Sequence, residues 1–568
     1  MILNKLKNKA KILIVIVILG FGSGIYLSFD EDSFDFEVTK NLDIYYTLFR
    51  ELNLFYVDQT DPGKLIKTSI DEMLKSLDPY TVYIPESRME DYKLMTTGQY
   101  GGIGALIRKS DDFVVISEPY EGFPAYKAGL KAGDKILEID GKSIKGMSTS
   151  DVSEILKGQP STNLSLLIKR YGEEQPITRE LTREEIQIKN VPYSGMITDS
   201  IGYIRLTNFT RDAYTNVKKA FTELNEKKAS SIILDLRGNP GGLLIESVKI
   251  SNIFLDKGKE VVSTKGKVKQ WDKTYQTMFA GGDTEIPVIV LVNNSSASAS
   301  EIVAGAMQDL DRGVIIGQRT YGKGLVQTTR ELSYNSKLKI TTAKYYIPSG
   351  RCIQALDYTH RNEDGSVGEI PDSLISEFST TGGRKVYDGG GIMPDIQIEP
   401  QKISKITTSL YIKNLIFDYA NKYEYEHDSI APVSEYEFTD AEYDEFVAFL
   451  ADKNFDYETR SEETLKDLID ITTKEKYFGL AKDELETLKE KLAHDKDKDL
   501  KTFKDEIIEF ITEEIIGRYY FQKGRIELNL KYDHEIKKAV EILENPDDYY
   551  AILNGTYKAE KEDDTEKK

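Results

Sequence analysis

Cysteine is nearly missing from this chain of 568 residues, in which Cys352 is the single example. One cysteine excludes any disulfide within the chain, so the folded parts must be stabilised by the burial of apolar side chains. The length is sufficient for several such cores. Cys352 itself is expected to be a small packed residue rather than a nucleophile.

Histidine is also scarce, and positive charge is outnumbered by negative charge. The chain has 75 Lys and Arg against 95 Asp and Glu, which gives a formal net charge of −20, and it has 4 His. This charge repels nucleic acids and anionic membrane surfaces, so neither is expected as a binding partner. It is consistent with a soluble surface, and few positions could supply an imidazole base.

No acidic residue precedes Asp30, and lysines 5, 7, 9 and 11 are followed by 18 uncharged residues, 12–29. A membrane-spanning helix needs about 20 apolar residues, whereas a signal-peptide core has about 7 to 15. The length predicts an uncleaved single-pass anchor over residues 1–30, while Gly22-Ser23-Gly24 leaves cleavage open. Since a basic flank stays inside, the remaining chain is expected on the periplasmic side of the inner (cytoplasmic) membrane.

A strand-to-helix transition lies in the middle of the chain. The apolar run 286–292 predicts a buried strand, and the pattern after it predicts a helix that starts near Ser298. A serine at such a turn holds its hydroxyl at an exposed corner, beside the unpaired N–H groups of the helix start. Acyl transfer requires this geometry. The alternative is that Ser296, Ser298 and Ser300 only cap the helix.

Lys323 stands between Gly322 and Gly324, after a second predicted strand. Flanking glycines allow close approach of the backbone, so the pattern predicts a lysine in a confined place. A lysine acts as a base only when its amine is neutral, and burial must then lower its ordinary pKa of about 10.4. Lys323 is therefore expected to be enclosed, without a carboxylate partner. If the chain is extended here, Gln327 lies on the same strand face and can orient the amine.

The two segments Ser-Ala-Ser-Ala-Ser-Glu, 296–301, and Tyr-Gly-Lys-Gly-Leu-Val-Gln, 321–327, resemble the signature of the carboxyl-terminal processing peptidases, or tail-specific proteases. The resemblance covers roughly residues 40 to 400. It implies that Ser298 is the nucleophile, that Lys323 is the base and that Gln327 completes the site. It also implies that no metal or organic cofactor is needed.

Glycines follow another predicted strand, in the turn 238–242. Successive glycines can leave backbone N–H groups facing a ligand, as an oxyanion hole requires. The resemblance assigns the oxyanion-hole donors to the backbone amides of Gly242 and Ala299. Asp235 and Arg237 are expected to hold this turn rather than to touch a substrate.

Asp309 and His360 are the rival catalytic residues. A continuous helix would place Asp309 roughly 16 Å from Ser298, at about 1.5 Å per residue, so a structural role is expected for it. His360 lies in a predicted polar surface turn, 358–362. In the family that the chain resembles no histidine is catalytic, which makes a Ser-His-Asp site the second hypothesis.

The segment 101–141 resembles a PDZ domain, a module that binds a peptide C-terminus by adding it to a sheet edge. A helix from about residue 150 to 156 is expected to wall the groove. For each apolar candidate in the groove, the alternative is a plain core position. The candidate peptide-binding residues are Gly102, Ile103, Gly104, Ala105, Val152 and Leu156.

Strands that alternate with helices after residue 200 predict an α/β core, and the resemblance implies a crotonase/Clp-protease-like fold for it. Amphipathic helices after residue 400 are expected to pack on this core or on a second subunit. The chain is thus predicted to be a multidomain α/β protein. Its predicted parts are an N-terminal transmembrane helix (1–30), a helical segment (31–96), an inserted PDZ domain (97–170), a protease core (171–400), a helical C-terminal extension (401–557) and a disordered charged tail (558–568).

These features together predict a serine endopeptidase that recognises protein C-termini through its PDZ domain. The expected partners are protein substrates with apolar C-termini, the membrane through the N-terminal helix, and a second copy or an adaptor protein. A catalytically silent binding or chaperone protein would lack the nucleophile, the base or a glycine donor, and all are present. A crotonase-type acyl-thioester enzyme would need neither a PDZ domain nor the Ser/Lys pair.

Overall fold

The computed structural model describes residues 34–558 except residue 363. The anchor predicted over residues 1–30 lies outside this range, as does the predicted tail apart from Lys558. None of the described helices combines the length and the apolar character that crossing a bilayer requires. The chain divides after Tyr83 into two compact units.

The first unit contains two helices in its described part, as the apolar spacing predicts. One runs over residues 34–55, and the other over Pro62–Lys75. Pro62 occupies the first turn of the second helix, and the side chain of Asp61 caps it by accepting from the Lys64 nitrogen at 3.0 Å.

The first α-helix of the second unit is Met89–Thr97, which follows a short 3-10 helix, Glu86–Arg88, and ends at the left-handed Gly98. The strand that follows, Gln99–Gly102, pairs antiparallel with Glu184–Gln187. These elements bracket a six-stranded antiparallel sheet in the predicted PDZ region, and Ala105–Ser110 lies at one edge of it. The six strands are Ala105–Ser110, Phe113–Pro119, Lys135–Ile139, Lys142–Ser143, Asn163–Lys169 and Ile177–Thr182.

The helix Thr149–Leu156 packs on this sheet and starts with a capping box between Ser148 and Asp151. Val152 and Leu156 on its inner face are buried among the apolar side chains of the strands. The predicted helix is confirmed. The sheet extends beyond the boundary predicted at residue 170, because Ile177–Thr182 pairs with Asn163–Lys169.

A second six-stranded sheet forms the α/β core. Its first two strands are antiparallel and the remaining neighbours are parallel. In spatial order the strands are Tyr193–Met196, Ile201–Arg205, Ser231–Asp235, Val288–Val292, Val314–Gly317 and Ile396–Gln397. Alternate residues of each strand point to opposite faces, so both faces are apolar and both need a cover.

Different parts of the chain cover the two faces. Helices Ala213–Glu226, Leu244–Phe254 and Ala299–Asp309 pack on the first face, against side chains such as Leu234 and Val290. The second face, which includes Ile233 and Leu291, is covered by residues of the last two helices, His534–Glu544 and Pro546–Leu553. The helices His534–Glu544 and Pro546–Leu553 therefore complete the apolar core on this face of the sheet, to which Ile201 also belongs.

A third, antiparallel sheet lies beside the core. Lys337–Tyr346 pairs with Leu325–Glu331 on one side and with Glu260–Gly266 on the other, and Lys273–Gln276 pairs with the latter. Two small hairpins follow it in the chain. They pair Leu356–Arg361 with Val367–Glu369 and Glu377–Ser379 with Lys385–Tyr387.

The C-terminal extension is helical, as predicted, and has an apolar core of its own. Its longest helix, Lys504–Tyr532, is interrupted at Phe521, whose φ of 53° and ψ of −158° are not helical. The extension also contacts the predicted PDZ region: the Arg108 guanidinium lies 3.4 Å from the ring centroid of Phe417. The helices are Lys405–Ile412, Leu415–Glu426, Asp440–Leu450, Arg460–Lys474, Phe478–Leu492, Lys496–Thr502, Lys504–Tyr532, His534–Glu544 and Pro546–Leu553.

Candidate active site

Ser298 occupies the turn between the strand Val288–Val292 and the helix Ala299–Asp309, which confirms the predicted helix start. It is half-buried, and its φ of 56° and ψ of −110° are unusual for a residue with a side chain. Such backbone strain persists only where the surrounding structure imposes it, and it is common at active sites.

The neighbouring serines of the motif have structural partners. The Ser296 hydroxyl donates to the Leu236 carbonyl at 2.8 Å, and the Ser300 hydroxyl donates to the Asn239 carbonyl at 2.9 Å. Both bonds tie the Ser298 turn to the glycine turn of the adjacent strand. Of the three serines, the structure thus gives Ser296 and Ser300 a scaffolding role.

The glycine turn lies directly against Ser298. The Gly238 nitrogen donates to Asn293 Oδ1 at 2.8 Å, and the Ala297 nitrogen donates to the Asn239 carbonyl at 3.0 Å. Gly241 has a φ of 96°, and a Cβ added there would lie 2.7 Å from the Ala297 carbonyl oxygen and 2.9 Å from both the Ala299 nitrogen and Ser298 Cβ. Only glycine fits at this position.

Two backbone N–H groups at this junction are not used by the fold. Phe209 and Gly242 form a parallel bridge in which the Phe209 nitrogen donates to Gly241 and the Phe209 carbonyl accepts from Leu243. Over the described part of the chain, neither the Gly242 N–H nor the Ala299 N–H has an acceptor. Ala299 is the first residue of its helix, where an N–H has no partner within the helix.

Glu301 joins the Ser298 turn to the Lys323 segment, and sequence reasoning assigned no role to it. Its buried carboxylate oxygen Oε2 accepts from the backbone nitrogens of both Ser298, at 2.7 Å, and Lys323, at 2.9 Å. Oε1 accepts from the Gly322 nitrogen at 2.7 Å and from the Thr320 hydroxyl at 2.6 Å. The Ser-x-x-Glu spacing of a capping box was the available signal.

Burial dominates the electrostatics of this carboxylate. It raises the pKa of Glu301, although the hydrogen bonds from Thr320, Lys323, Gly322 and Ser298 act in the opposite direction. The bonds satisfy a group that would otherwise be costly to bury. As a result, the backbone nitrogens of Ser298 and Lys323 both donate to the same carboxylate oxygen.

Lys323 is half-buried, and glycines on both sides fit its segment closely against the rest of the core. A Cβ on Gly322 would lie 2.4 Å from Ala355 Cβ, and a Cβ on Gly324 would lie 2.8 Å from the Gln354 nitrogen. The Gly324 nitrogen donates to Gln354 Oε1 at 2.8 Å. The predicted need for flanking glycines therefore has a steric cause.

Gln327 lies in the strand Leu325–Glu331, which begins two residues after Lys323. The pairing shifts register between Val326 and Gln327, where Thr342 of the neighbouring strand is the extra residue. That Lys323 and Gln327 share one strand face stays a prediction. The Gln327 amide nitrogen donates to Thr341 Oγ1 at 3.2 Å.

Tyr345 is a second residue that the sequence did not indicate. Its ring is buried, and its hydroxyl donates to the Ser298 carbonyl at 3.3 Å. Burial, with the nearby Glu301, raises the pKa of Tyr345 well above its ordinary value, so the hydroxyl keeps its proton.

Asp309 and His360 have partners away from Ser298. Asp309 is buried and accepts from Arg351 Nη2 at 2.8 Å and from the Ser349 nitrogen at 3.0 Å. His360 is exposed and lies in the strand Leu356–Arg361 rather than in the predicted turn, with Nδ1 2.7 Å from Asp357 Oδ2. Cys352 is partly buried, and burial raises the pKa of its thiol.

Asp235 and Arg237 hold the glycine turn, as predicted, and connect it to the C-terminal extension. The buried Asp235 carboxylate accepts from the Tyr203 hydroxyl at 2.7 Å and from Arg237 Nη2 at 2.6 Å. Arg237 Nη1 in turn donates to Asp533 Oδ2 at 2.6 Å. Burial acts to raise the pKa of Asp235, but Arg237 and Arg205 outweigh it and hold that pKa well below its usual range.

A small groove of about 50 Å³ lies between the edge strand Ala105–Ser110 and the helix Thr149–Leu156. Of the candidates, Val152 does not line it, because its side chain is fully buried in the domain core. Gly102 and Gly104 lie in the adjoining segment rather than in the lining. The lining residues are Tyr100, Ile103, Ala105, Ile107, Ser153, Leu156 and Lys157.

Three family models match separate regions of the chain. Peptidase family S41 matches residues 200–360, a PDZ domain matches residues 115–170, and the C-terminal helical domain of probable PDZ-proteases matches residues 406–543. These regions correspond to the α/β core, the antiparallel sheet with its groove and the helical extension.

Two relatives are similar to this chain over a little more than half of its length. A carboxy-terminal-processing protease of Bartonella bacilliformis is 38% identical over 324 residues, 56% of this chain and 74% of that protein. A probable CtpA-like serine protease of Staphylococcus aureus is 37% identical over 316 residues, 55% of this chain and 63% of that protein. Among solved structures, a photosystem II D1 C-terminal processing protease is 29% identical, covering 63% of this chain and 92% of that chain with a TM-score of 0.35.

Proposed function

The chain belongs to the carboxy-terminal-processing proteases, serine-type peptidases of family S41 with a PDZ domain, and from that premise we propose that Ser298 and Lys323 are its catalytic dyad. The Ser298 hydroxyl attacks the substrate carbonyl while the neutral Lys323 amine takes its proton. The proton then passes to the leaving amine, and water hydrolyses the acyl-enzyme. Gln327 is proposed to orient the lysine.

The observation that supports this dyad most directly is the position of Glu301. One carboxylate oxygen accepts from the backbone nitrogens of both Ser298 and Lys323, so residues 25 positions apart in the chain are anchored to a single atom. Pre-organisation of this kind is what proton transfer between two side chains requires.

The backbone N–H groups of Gly242 and Ala299 are the proposed oxyanion hole. Neither has an acceptor within the described residues, and Gly241 packs against the Ala299 nitrogen. Donors that the fold leaves unused can bind the tetrahedral oxygen without first breaking another bond.

The PDZ domain is proposed to bind the C-terminus of a protein substrate and to bring the chain to Ser298. Its groove lies at an edge strand, where a peptide can be added to the sheet. The small volume of the groove favours a small apolar last residue. The basic flank and the uncharged run 12–29 support export and tethering at the inner membrane as a further proposal.

Two substitutions test the dyad on the full chain. Ser298→Ala and Lys323→Ala are each expected to abolish cleavage of a labelled peptide with an apolar C-terminus, while binding measured by fluorescence anisotropy stays near the wild-type value. Ser295→Ala is the matched control, because Ser295 is exposed on the same turn and contacts Asn294. Turnover that persists in both dyad variants would refute the mechanism, and binding without cleavage by the wild type would favour a silent binding protein.

A further inference from the structure

The groove of the PDZ domain contains one charged side chain. Its lining is otherwise apolar, aromatic or hydroxylic, and Lys157 is the exception. Lys157 follows the helix Thr149–Leu156 as its C-cap residue, so it lies at the helix end that adjoins the glycine segment 101–104. The Gly158 nitrogen donates to the Gly101 carbonyl at 3.0 Å, which joins the two segments directly.

In the glycine segment, the fold uses the carbonyl groups of Ile103 and Gly104 but not their amides. The Ile103 carbonyl accepts from the Ala125 nitrogen and the Gly104 carbonyl accepts from the Tyr120 nitrogen, each at 2.8 Å. Within the described part of the chain, the N–H groups of Ile103 and Gly104 have no acceptor. Two unused N–H groups beside a lysine form a site for an anion.

An acidic side chain from outside the PDZ sheet forms an ion pair with Lys157. Asp91, on the helix Met89–Thr97, lies with Oδ1 2.7 Å from Lys157 Nζ, and the Lys157 ammonium is 5.8 Å from the centre of the Tyr100 ring. The preceding residue, Glu90, accepts from the Gly101 nitrogen at 2.8 Å. Burial acts to raise the pKa of Asp91, but Lys157 and Arg88 outweigh it and lower that pKa, so the carboxylate is ionised.

We propose that Lys157 is a specificity-determining residue that binds the terminal carboxylate of the substrate, and that Asp91 is its competitor within the chain. A free carboxylate entering the groove reaches the N–H groups of Ile103 and Gly104 and takes the place of Asp91 at the ammonium. The proposal rests on the recognition of C-termini proposed above and adds the charged group that distinguishes a free C-terminus from an internal segment.

This arrangement sets the selectivity in two ways. A peptide that ends in a carboxamide cannot replace the Asp91 carboxylate, because it has no negative charge to pair with Lys157. The Asp91–Lys157 pair also lowers the affinity for every substrate that has a free terminal carboxylate, since that carboxylate must displace Asp91. Loss of Asp91 should therefore tighten binding, whereas loss of Lys157 should remove the preference for a free carboxylate.

The experiment uses the full chain with Ser298→Ala, so that no peptide is cleaved. The probes are one short fluorescent peptide that ends in Ala-Ala with a free carboxylate and the same peptide as a carboxamide. Lys157→Gln is expected to weaken binding of the free acid roughly tenfold, the loss of about one charge-assisted hydrogen bond, and to leave the carboxamide unchanged. Asp91→Asn is expected to strengthen binding of the free acid several-fold.

The matched control is the exposed pair Lys145–Asp112 of the same domain, at 3.5 Å. Lys145→Gln and Asp112→Asn should change neither affinity. If Lys157→Gln keeps the preference for the free acid, or if Asp91→Asn weakens binding, this inference is wrong while recognition of C-termini stands. If the parent protein itself binds acid and carboxamide equally, recognition of C-termini by this domain is wrong.

Discussion

The carboxylate of Glu301 binds Lys323 through its backbone nitrogen, at 2.9 Å, while the same oxygen binds the backbone nitrogen of Ser298. A buried acid thus positions the two proposed catalytic residues by their main chains. The bonds that hold them are independent of the side-chain chemistry that the two residues would perform.

Glu301→Gln should therefore damage activity more than stability. Glutamine has one acceptor oxygen where Glu301 has two, so its NH2 group must face either the Ser298 and Lys323 nitrogens or the Gly322 nitrogen, none of which it can accept from. In both cases the Lys323 segment should shift relative to Ser298. We expect kcat to fall roughly a hundredfold with little change in KM, the effect of a displacement of about 1 Å. Steady-state kinetics and thermal unfolding measure the two quantities.

Glu246→Gln is the matched control for that substitution. Glu246 is also buried in the first turn of a helix, where it accepts from the Tyr214 nitrogen at 2.9 Å and from Lys249 at 2.7 Å. It should lose about 1–3 kcal/mol of unfolding free energy without a comparable fall in kcat. Equal losses of kcat in the two variants would contradict a positioning role for Glu301.

Gly241→Ala should disturb the proposed oxyanion hole. The added methyl group would lie 2.9 Å from the Ala299 nitrogen and 2.9 Å from Ser298 Cβ, so the two turns must move apart. We expect kcat to fall by roughly a hundredfold or more. Gly258→Ala is the control for the strain of placing alanine at a positive φ without a steric clash. Gly258 has a φ of 85° and open space around its Cβ position.

Asp235 should make the stability of the fold fall at low pH. Arg237 and Arg205 hold its folded pKa below the value of about 3.9 in the unfolded chain, so its stabilising effect is complete above that pH and is lost as the pH falls below it. Denaturant unfolding at about pH 6 and about pH 3 should show a smaller pH difference for Asp235→Asn than for the wild type. The exposed Asp467→Asn should leave the difference unchanged.

The last helices should be required for the stability of the α/β core. Ile542 is buried against the sheet face that includes Ile233 and Leu291. Ile542→Ala should cost about 2–5 kcal/mol of unfolding free energy, whereas the exposed Glu541→Ala should cost less than about 0.5 kcal/mol. If Ile542→Ala unfolds like the wild type in guanidinium chloride, the C-terminal helices are not part of the core.

Much of the fold and the outline of the site could be predicted because they follow from local patterns. The strand Val288–Val292, the helix that begins after Ser298 and the glycines around Lys323 each occupy a few consecutive residues, so apolar spacing and backbone permissiveness are visible in the sequence. The helix Thr149–Leu156 was predictable for the same reason.

The bulge opposite Gln327 could not be predicted. The strand Leu325–Glu331 shifts register against its neighbour between Val326 and Gln327, where Thr342 is the extra residue. A register shift depends on the partner strand, which the local sequence does not contain.

A serine at a helix start, a lysine between glycines and a glycine turn are each properties of a short segment, so the amino-acid order alone specifies these chemical groups. It does not specify that Glu301 joins Ser298 to Lys323, that Asp91 pairs with Lys157 or that Ile542 covers the central sheet, because these contacts arise from the folding of the whole chain. These contacts join residues that are far apart in the chain. They form because buried polar groups must find partners and both faces of an apolar sheet must be covered, and neither condition specifies from the sequence which distant residue will meet it.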